Sequence, residues 1–413
     1  MNIGIVGAGI SGLHLALRLQ QFGVDTTLYS TKTAKEQRAG PPANFVARFG
    51  RTRQREHTLG VAHWNFPDWS MDTLRVTLLG AHPPMGFRAD LLQPASGVDF
   101  RLYLPQLMDD YEARGGSVVI GPAELEDIHR RAGAHDLIVV AKGGKSIAEL
   151  FPRDPRRSPY TAPQRRLCAG LYHGIVDDSM RGVDINIAPG AGEIFTAPFY
   201  SFEGKVRLLS FETVTGGPFD HLTHLSRTDH PDAHRQATLD VLAAHAPGLR
   251  EKITDAEFRL ARPIDGLQGA VTPVVRHGWA RLDNGTYAIA VGDAWVINDP
   301  VTGQGANLGS ACAFLLADAI RTGPPFDEHF CRTAEATMWP AARSVTEWTN
   351  VCVQPPLPHI LDLLEIAATD ERVAHAFLNN FNDPIAMWNS VATPAHVTAF
   401  LSQVRGKSLT QAG

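Results

Sequence analysis

The sequence predicts an α/β fold: a dinucleotide-binding unit interrupted by an antiparallel β-sheet and followed by a helical C-terminus. Three observations predict it. The chain opens with a short β-branched run, a G-x-G-x-x-G and an amphipathic helix within residues 2–23. A second glycine-rich helix entrance, "GDAWVINDPVTGQGANLGSA", stands far away at 292–311. Between them, helix–strand alternation gives way to strands joined by hairpin turns.

Residues 2–6, "NIGIV", read as a buried strand. Gly7, Gly9 and Gly12 follow, then "LHLALRLQQFG", in which Leu13, Ala16, Leu17 and Phe22 recur at helical spacing and Gly23 is placed to end the helix. With "VDTTLYS" as the second strand, the stretch is a βαβ site for a pyrophosphate at a helix N-terminus. Ser30 and Thr31 stand where an acidic residue normally holds the adenosine ribose, so the expectation is a loosely held, exchangeable dinucleotide. "SVVIGP" and "DLIVVAKGG" read as further buried strands, and "DPRRSPYTAPQRR" as a crossover.

From Leu167 to about Val275 strands alternate with turns, the clearest at Glu203-Gly204-Lys205 and, just beyond, at Asn284-Gly285. The histidines of "HLTHLSRTDHPDAH" (221–234) lack any thiol or helical ligand framework and read as a solvated loop, so no metal is expected. "TYAIAVGDAW" delivers Asp293 at a strand end, and "NDPVTGQGAN" then turns into a helix. A carboxylate there suits sugar hydroxyls, while free backbone N–H groups suit an electron-rich ring edge. The predicted units are therefore 1–165 for the first part of the dinucleotide-binding domain, with an excursion over 63–95. The β-rich domain follows at 166–275, the second part of the dinucleotide-binding domain at 276–325, and a helical region at 326–413. In the last, Leu361, Leu364 and Ala368 share a helical face packed on the rest of the fold, with a homodimer contact as the alternative.

The net charge of −5 gives no reason to expect nucleic acid or an anionic membrane as partner. No apolar run reaches the roughly 18–20 residues of a membrane span. The four cysteines form no C-x-x-C pair, so reduced thiols in a cytoplasmic protein are expected. No G-x-S-x-G elbow supports an α/β-hydrolase.

Taken together, "GIVGAGISGLHLALRL", "VDFRLYLPQLM", "LQGAVTPVVRHGWARLDNG", "VGDAWVINDPVTGQGANLGSACAFLL" and "NNFNDPIAMWN" resemble the FAD-dependent aromatic-hydroxylase superfamily. More closely, the chain resembles the styrene/indole monooxygenase family, the FAD-dependent component of two-component epoxidases. The resemblance implies a Rossmann-like FAD-binding domain with an inserted substrate sheet. It implies Gly7, Gly9 and Gly12 at the pyrophosphate, Arg101 near the adenine and phosphate side, and Asp293 on the ribityl chain. Pro300, Gly303, Gln304 and Gly305 then lie beside the isoalloxazine, and Asn44 and Val46 face flavin and substrate. Arg48 departs from the family's usual histidine, and Met71, Leu74 and Ala95 form a mixed set at positions that divide styrene from indole specialists. The implied chemistry is epoxidation of an aryl alkene such as styrene, or oxygenation of indole or an aryl sulfide. It uses O2 and FAD reduced by a partner NADH:flavin reductase, through a C4a-hydroperoxyflavin, so no acid–base residue of the protein is required. Phe199, Tyr200, Phe202, Leu208 and Phe211 are available to line the pocket. A single-component, NAD(P)H-dependent hydroxylase is the alternative.

Overall fold

The computed structural model describes residues 1–80, 85–176 and 181–410. One sheet has six strands in the order β15–β16–β7–β1–β2–β6 and holds the βαβ unit expected at the N-terminal end. Its strands are β1 (Asn2–Val6), β2 (Asp25–Ser30), β6 (Ser117–Ile120), β7 (Leu137–Val140), β15 (Trp279–Arg281) and β16 (Tyr287–Ala290). All pair in parallel except the β15–β16 hairpin, which turns at Asn284-Gly285 with Gly285 at φ +90°. The central strands β1 and β7 are buried, as parallel strands covered on both faces require. β6 is not the buried strand that "SVVIGP" predicts. It lies at the sheet edge, where Val119 and Ile120 are exposed, because among the described residues no strand pairs beyond β6. The helix Ile10–Gln21 crosses between β1 and β2 and ends at Phe22, and Gly23 takes φ +70° as its left-handed stop.

The other sheet has nine strands in the order β12–β8–β11–β10–β9–β4–β5–β3, with β13 also paired to β8. They are β3 (Ala47–Arg48), β4 (Ser70–Leu78), β5 (Met85–Gly97), β8 (Arg165–His173), β9 (Gly182–Ala188), β10 (Gly192–Ser201), β11 (Gly204–Val214), β12 (Arg259–Leu260) and β13 (Gly266–Ala270). The stretch 63–95 thus supplies β4 and most of β5 to this second sheet, with β4 joined in parallel to β9. A small pair, β14 (Val274–Val275) with β17 (Val296–Ile297), links the two sheets. The β10–β11 hairpin turns at Phe202-Glu203, one residue earlier than the sequence suggests, because Gly204 at φ +75° is the left-handed residue that re-enters the ladder.

Alternation divides the second sheet. Ala197, Phe199 and Leu208 face the C-terminal helices with Trp348 and Leu364. Ile194, Leu209 and Phe211 face a separate core formed with the helix Pro231–His245. That helix corrects the expected solvated histidine loop. Pro231 at its first turn starts it, Leu239 and Leu242 anchor it, and His234 is buried with Nε2 3.1 Å from Cys168 Sγ. Among the described residues no group of three or more His, Cys, Asp or Glu side chains is arranged to hold a metal ion. In the helix Pro358–Thr369 the buried stripe is Leu363, Leu364 and Ala367, so Leu361 and Ala368 lie to its sides rather than on the packed face. Among the described residues no helix is long and apolar enough to cross a membrane. All four cysteines are free.

Candidate active site

The two glycine-rich entrances open onto one cavity of about 1220 Å³, bordered by Gly9, Ile10 and Ser11 at one helix start and by Gly303, Gly305 and Ala306 at the other. This exceeds the roughly 300–1,000 Å³ of an ordinary small-molecule site, so it has room for a cofactor end and a substrate. The helix Ile10–Gln21 starts at Gly9 and the helix Gly305–Ile320 at Gln304, and neither has a side-chain cap. Their first N–H groups and positive dipole ends therefore face the same space.

The glycines divide into two kinds. A Cβ on Gly12 would lie 1.9 Å from the Gly7 carbonyl oxygen, so Gly12 lets helix and strand touch, while Gly7 itself has φ +119°. A Cβ on Gly9 or on Gly305 would meet no protein atom within 4 Å. Those two are bare toward the cavity, a cradle that fits a dinucleotide approaching the backbone. Gly309, the glycine that makes the second entrance one residue too long for a dinucleotide fingerprint, faces the protein instead. Its Cβ would lie 2.2 Å from Ser11 Oγ, and that of Gly292 2.4 Å from the same atom. Gly309 and Gly292 allow the two glycine helices to cross.

Asp293 occupies the turn after β16 and borders the cavity. Its side chain is exposed toward that cavity, with the surrounding loop packed close behind it. Burial pushes its pKa up, and Arg276 partly offsets the shift. Asn44 and Val46 line the cavity from the segment before β3, joined by Met71, Leu74 and Ala95. Phe199 and Leu208 extend this apolar wall, and Phe45 meets Phe199 edge-on at 6.2 Å. Of the other expected pocket aromatics, Phe211 lies in the opposite core, Tyr200 packs on Phe66 and Trp69, and Phe202 is covered by Arg262. Alternation along β10 and β11 turns Tyr200 and Phe211 away, and Phe202 sits in the hairpin turn.

Gly9, Asn44, Val46, Asp293, Pro300, Gly303 and Gly305 are thus brought together on the cavity. Gly7, Gly12, Arg101 and Gln304 stand behind it. Arg101 is 4% exposed and held by Asp99 at 2.5 Å and Asp265 at 2.6 Å. The Gln304 amide donates to the Phe381 carbonyl at 2.9 Å. That bond gives "NNFNDP" a role: Asn382 accepts from the Gly50 N–H and donates to the Gln93 carbonyl, so the motif ties the second entrance to β5. Arg48 does not reach the cavity. It pairs with Glu56 at 2.5 Å inside a buried chain that continues through Tyr103 and His14 to Ser310.

Sequence reasoning missed a polar end of the cavity made by Arg165, Glu193, Glu212 and Asp299. Its signal was present: in β10 and β11 the glutamates occupy the same alternate positions as Phe195 and Leu208. Burial and the neighbouring carboxylates push the pKa of Glu212 well up and that of Asp299 to about 6.

Residues 143–252 match the family model described as "Styrene monooxygenase A putative substrate binding domain". The styrene monooxygenase StyA of Pseudomonas fluorescens is 36% identical over 406 residues, 97% of this chain and 98% of that one, and a StyA from another Pseudomonas matches equally. Among solved structures, the flavin-dependent brominase Bmp2 superposes with TM-score 0.68 at 12% identity, covering 99% of this chain and 100% of that one. An oxygenase of 2-methyl-3-hydroxypyridine-5-carboxylic acid gives 0.61 at 15%, covering 84% and 90%. A flavoprotein/dehydrogenase from Cytophaga hutchinsonii gives 0.63 at 11%, covering 99% of each chain. These structural likenesses carry the flavin-enzyme fold, and the near full-length match at 36% identity carries the family: the chain belongs to the styrene monooxygenases.

Proposed function

We propose that this protein is an FAD-dependent epoxidase of aryl alkenes such as styrene, also acting on indole, that takes reduced FAD from a separate NADH:flavin reductase. The observation that carries the reading is the convergence of two uncapped, glycine-bare helix starts on a cavity that continues into an apolar wall. Gly9 and the first N–H groups of its helix hold the pyrophosphate, Gly7 and Gly12 shape that turn, and Arg101 braces the adenine side through its two aspartates. Asp293 accepts from the ribityl hydroxyls, and the Pro300–Gly305 loop, with Gln304 fixing it to Phe381, meets the ring. When bound, FAD reduced and exposed to O2 supplies the oxygen that is transferred.

The protein's own residues bind, orient and exclude water. Met71, Leu74, Ala95, Phe199 and Leu208 make the dry wall against which an aryl alkene lies, and Asn44 and Val46 border the approach. Ser30 supports loose cofactor retention. Its hydroxyl is taken up by the Lys32 carbonyl at 2.6 Å, and no carboxylate ends β2.

The test supplies chemically reduced FAD and O2 to the purified protein with styrene or with indole. The expected products are styrene oxide and indigo, with no consumption of NADH by the protein alone. NADH consumption without a reductase would move the protein to the single-component hydroxylases.

A further inference from the structure

At the polar end of the cavity, Glu193 and Glu212 sit directly opposite each other across β10 and β11. Like charges in that position repel. Arg165 relieves one of them: Nε and Nη2 reach the Glu193 carboxylate at 2.9 and 3.0 Å, and Nη1 donates to the Val353 carbonyl at 2.9 Å. Glu212 is left over. It is 3% exposed, and its Oε2 has no hydrogen-bond partner among the described residues.

Asp299 approaches from the loop that turns toward the second entrance. It is 1% exposed; Oδ1 accepts from the Val301 N–H at 3.1 Å, and Oδ2 has no partner among the described residues. Both amide atoms of Asn298, beside it, are likewise buried and unpartnered. All three residues border the cavity. A buried acceptor without a donor is costly to the fold, and the cost recurs here three times within one cavity wall, at Glu212 Oε2, Asp299 Oδ2 and Asn298 Oδ1.

We propose that Glu212, Asp299 and Asn298 form a hydrogen-bonding subsite for the ring N–H of an aromatic heterocycle, so that this cavity selects N–H-bearing bicyclic substrates over their carbocyclic isosteres. With Arg165 taken up by Glu193, two full negative charges side by side on Glu212 and Asp299 are disfavoured. That suits a neutral N–H donor better than a dication or an anion. The apolar wall on the other side, from Leu208 to Phe199, takes the carbon ring. The inference rests on the epoxidase reading of the cavity.

Indole and indene have the same shape and differ only in N–H against CH2. The experiment measures their dissociation constants with FAD-loaded protein by titration calorimetry, for the parent and for Glu212→Gln and Asp299→Asn. The parent is expected to bind indole about tenfold more tightly than indene, as one charge-assisted hydrogen bond allows. The ratio is expected to fall to within about twofold in at least one variant, with both variants folded by circular dichroism. Equal binding of the two ligands by the parent overturns the proposal, as does a ratio unchanged in both variants. A variant that loses FAD affinity while keeping the ratio also overturns it, by showing that the cofactor's own N–H covers these groups. Turnover is scored separately. If neither ligand nor styrene is oxygenated with reduced FAD, the epoxidase reading fails whatever the binding ratio.

Discussion

The two kinds of glycine make opposite predictions for the same substitution. Gly9 has φ −80° and ψ −179°, open to any residue, and its Cβ would meet only the open space of the cavity. Gly9→Ala therefore costs the fold nothing and gains roughly 0.4–1 kcal/mol from a stiffer unfolded chain. Gly12→Ala drives a methyl group to 1.9 Å from the Gly7 carbonyl oxygen, a backbone atom that cannot rotate away. The helix must shift off β1, and overpacking of this kind costs about 1–3 kcal/mol or more. The second entrance repeats the contrast. Gly305→Ala meets open space, whereas Gly309→Ala meets Ser11 Oγ at 2.2 Å. Here the obstacle is a hydroxyl, so Ser11→Ala should restore much of the stability that Gly309→Ala loses. The assay pairs denaturant unfolding with titration of FAD by fluorescence quenching. Gly9→Ala and Gly305→Ala should keep or raise stability and weaken FAD binding at least tenfold. Gly12→Ala and Gly309→Ala should lose stability first. Parent-like FAD affinity in Gly9→Ala would refute the assignment of that cradle to the cofactor, and an undiminished stability in Gly12→Ala would refute the packing argument.

Other outcomes follow from the ion pairs and carboxyls. Glu56→Ala leaves Arg48 charged and 1% exposed, and should cost about 3–5 kcal/mol in denaturant unfolding, more than any exposed ion pair here. Asp293→Ala should raise the FAD dissociation constant roughly 10- to 100-fold, the worth of one hydrogen bond to a charged group, with little change in Tm. Asp299 is pushed up to about 6 in the fold from 3.8. The folded state therefore binds more protons between those values, and the stability Asp299 contributes is complete below about pH 4 and lost as pH rises through 6. Asp299→Asn should flatten that slope and stabilise the protein above pH 6 by up to ~3 kcal/mol. Unfolding midpoints between pH 4 and 8 check both the sign and the window.

Much of the fold was legible because its signals are local. Gly7, Gly23 and Gly285 of the Asn284-Gly285 turn each take a positive φ that few other residues adopt, so sequence position and structure coincide there. The readings that failed depend on neighbours far along the chain. "SVVIGP" has the composition of a central strand, yet it is exposed because among the described residues no strand pairs beyond it. Among the histidines, His234 is buried because Cys168 on β8 and the packing of Leu239 and Leu242 draw its helix onto the sheet. Alternation alone could say that Phe199 and Tyr200 face opposite ways, but not which of them faces the cavity. Arg101 could be located in its motif, whereas its partners Asp99 and Asp265 lie 2 and 164 residues away, and only the near one is visible in sequence.

Two buried polar groups separate structure from function more sharply than any motif does. The chain from Ser310 through His14, Tyr103 and Glu56 to Arg48 joins both glycine helices to β3. Both ring nitrogens of His14, the Tyr103 hydroxyl and both Glu56 oxygens are bonded within it, and only Arg48 Nε lacks a partner. Burial lowers His14 to about 3, so the imidazole stays neutral and can donate at one nitrogen while accepting at the other. Such a network is closed: it needs no visitor, and its role is to fix how the two helices meet. The Glu212–Asp299–Asn298 group, with both carboxylates buried and Asn298 half-buried, is open instead, with four atoms lacking partners beside a cavity. A fold under selection for stability alone would replace these three side chains with apolar ones of similar volume. Their presence at the cavity wall is intelligible if a ligand completes them, and by that criterion the polar end belongs to the site rather than to the scaffold.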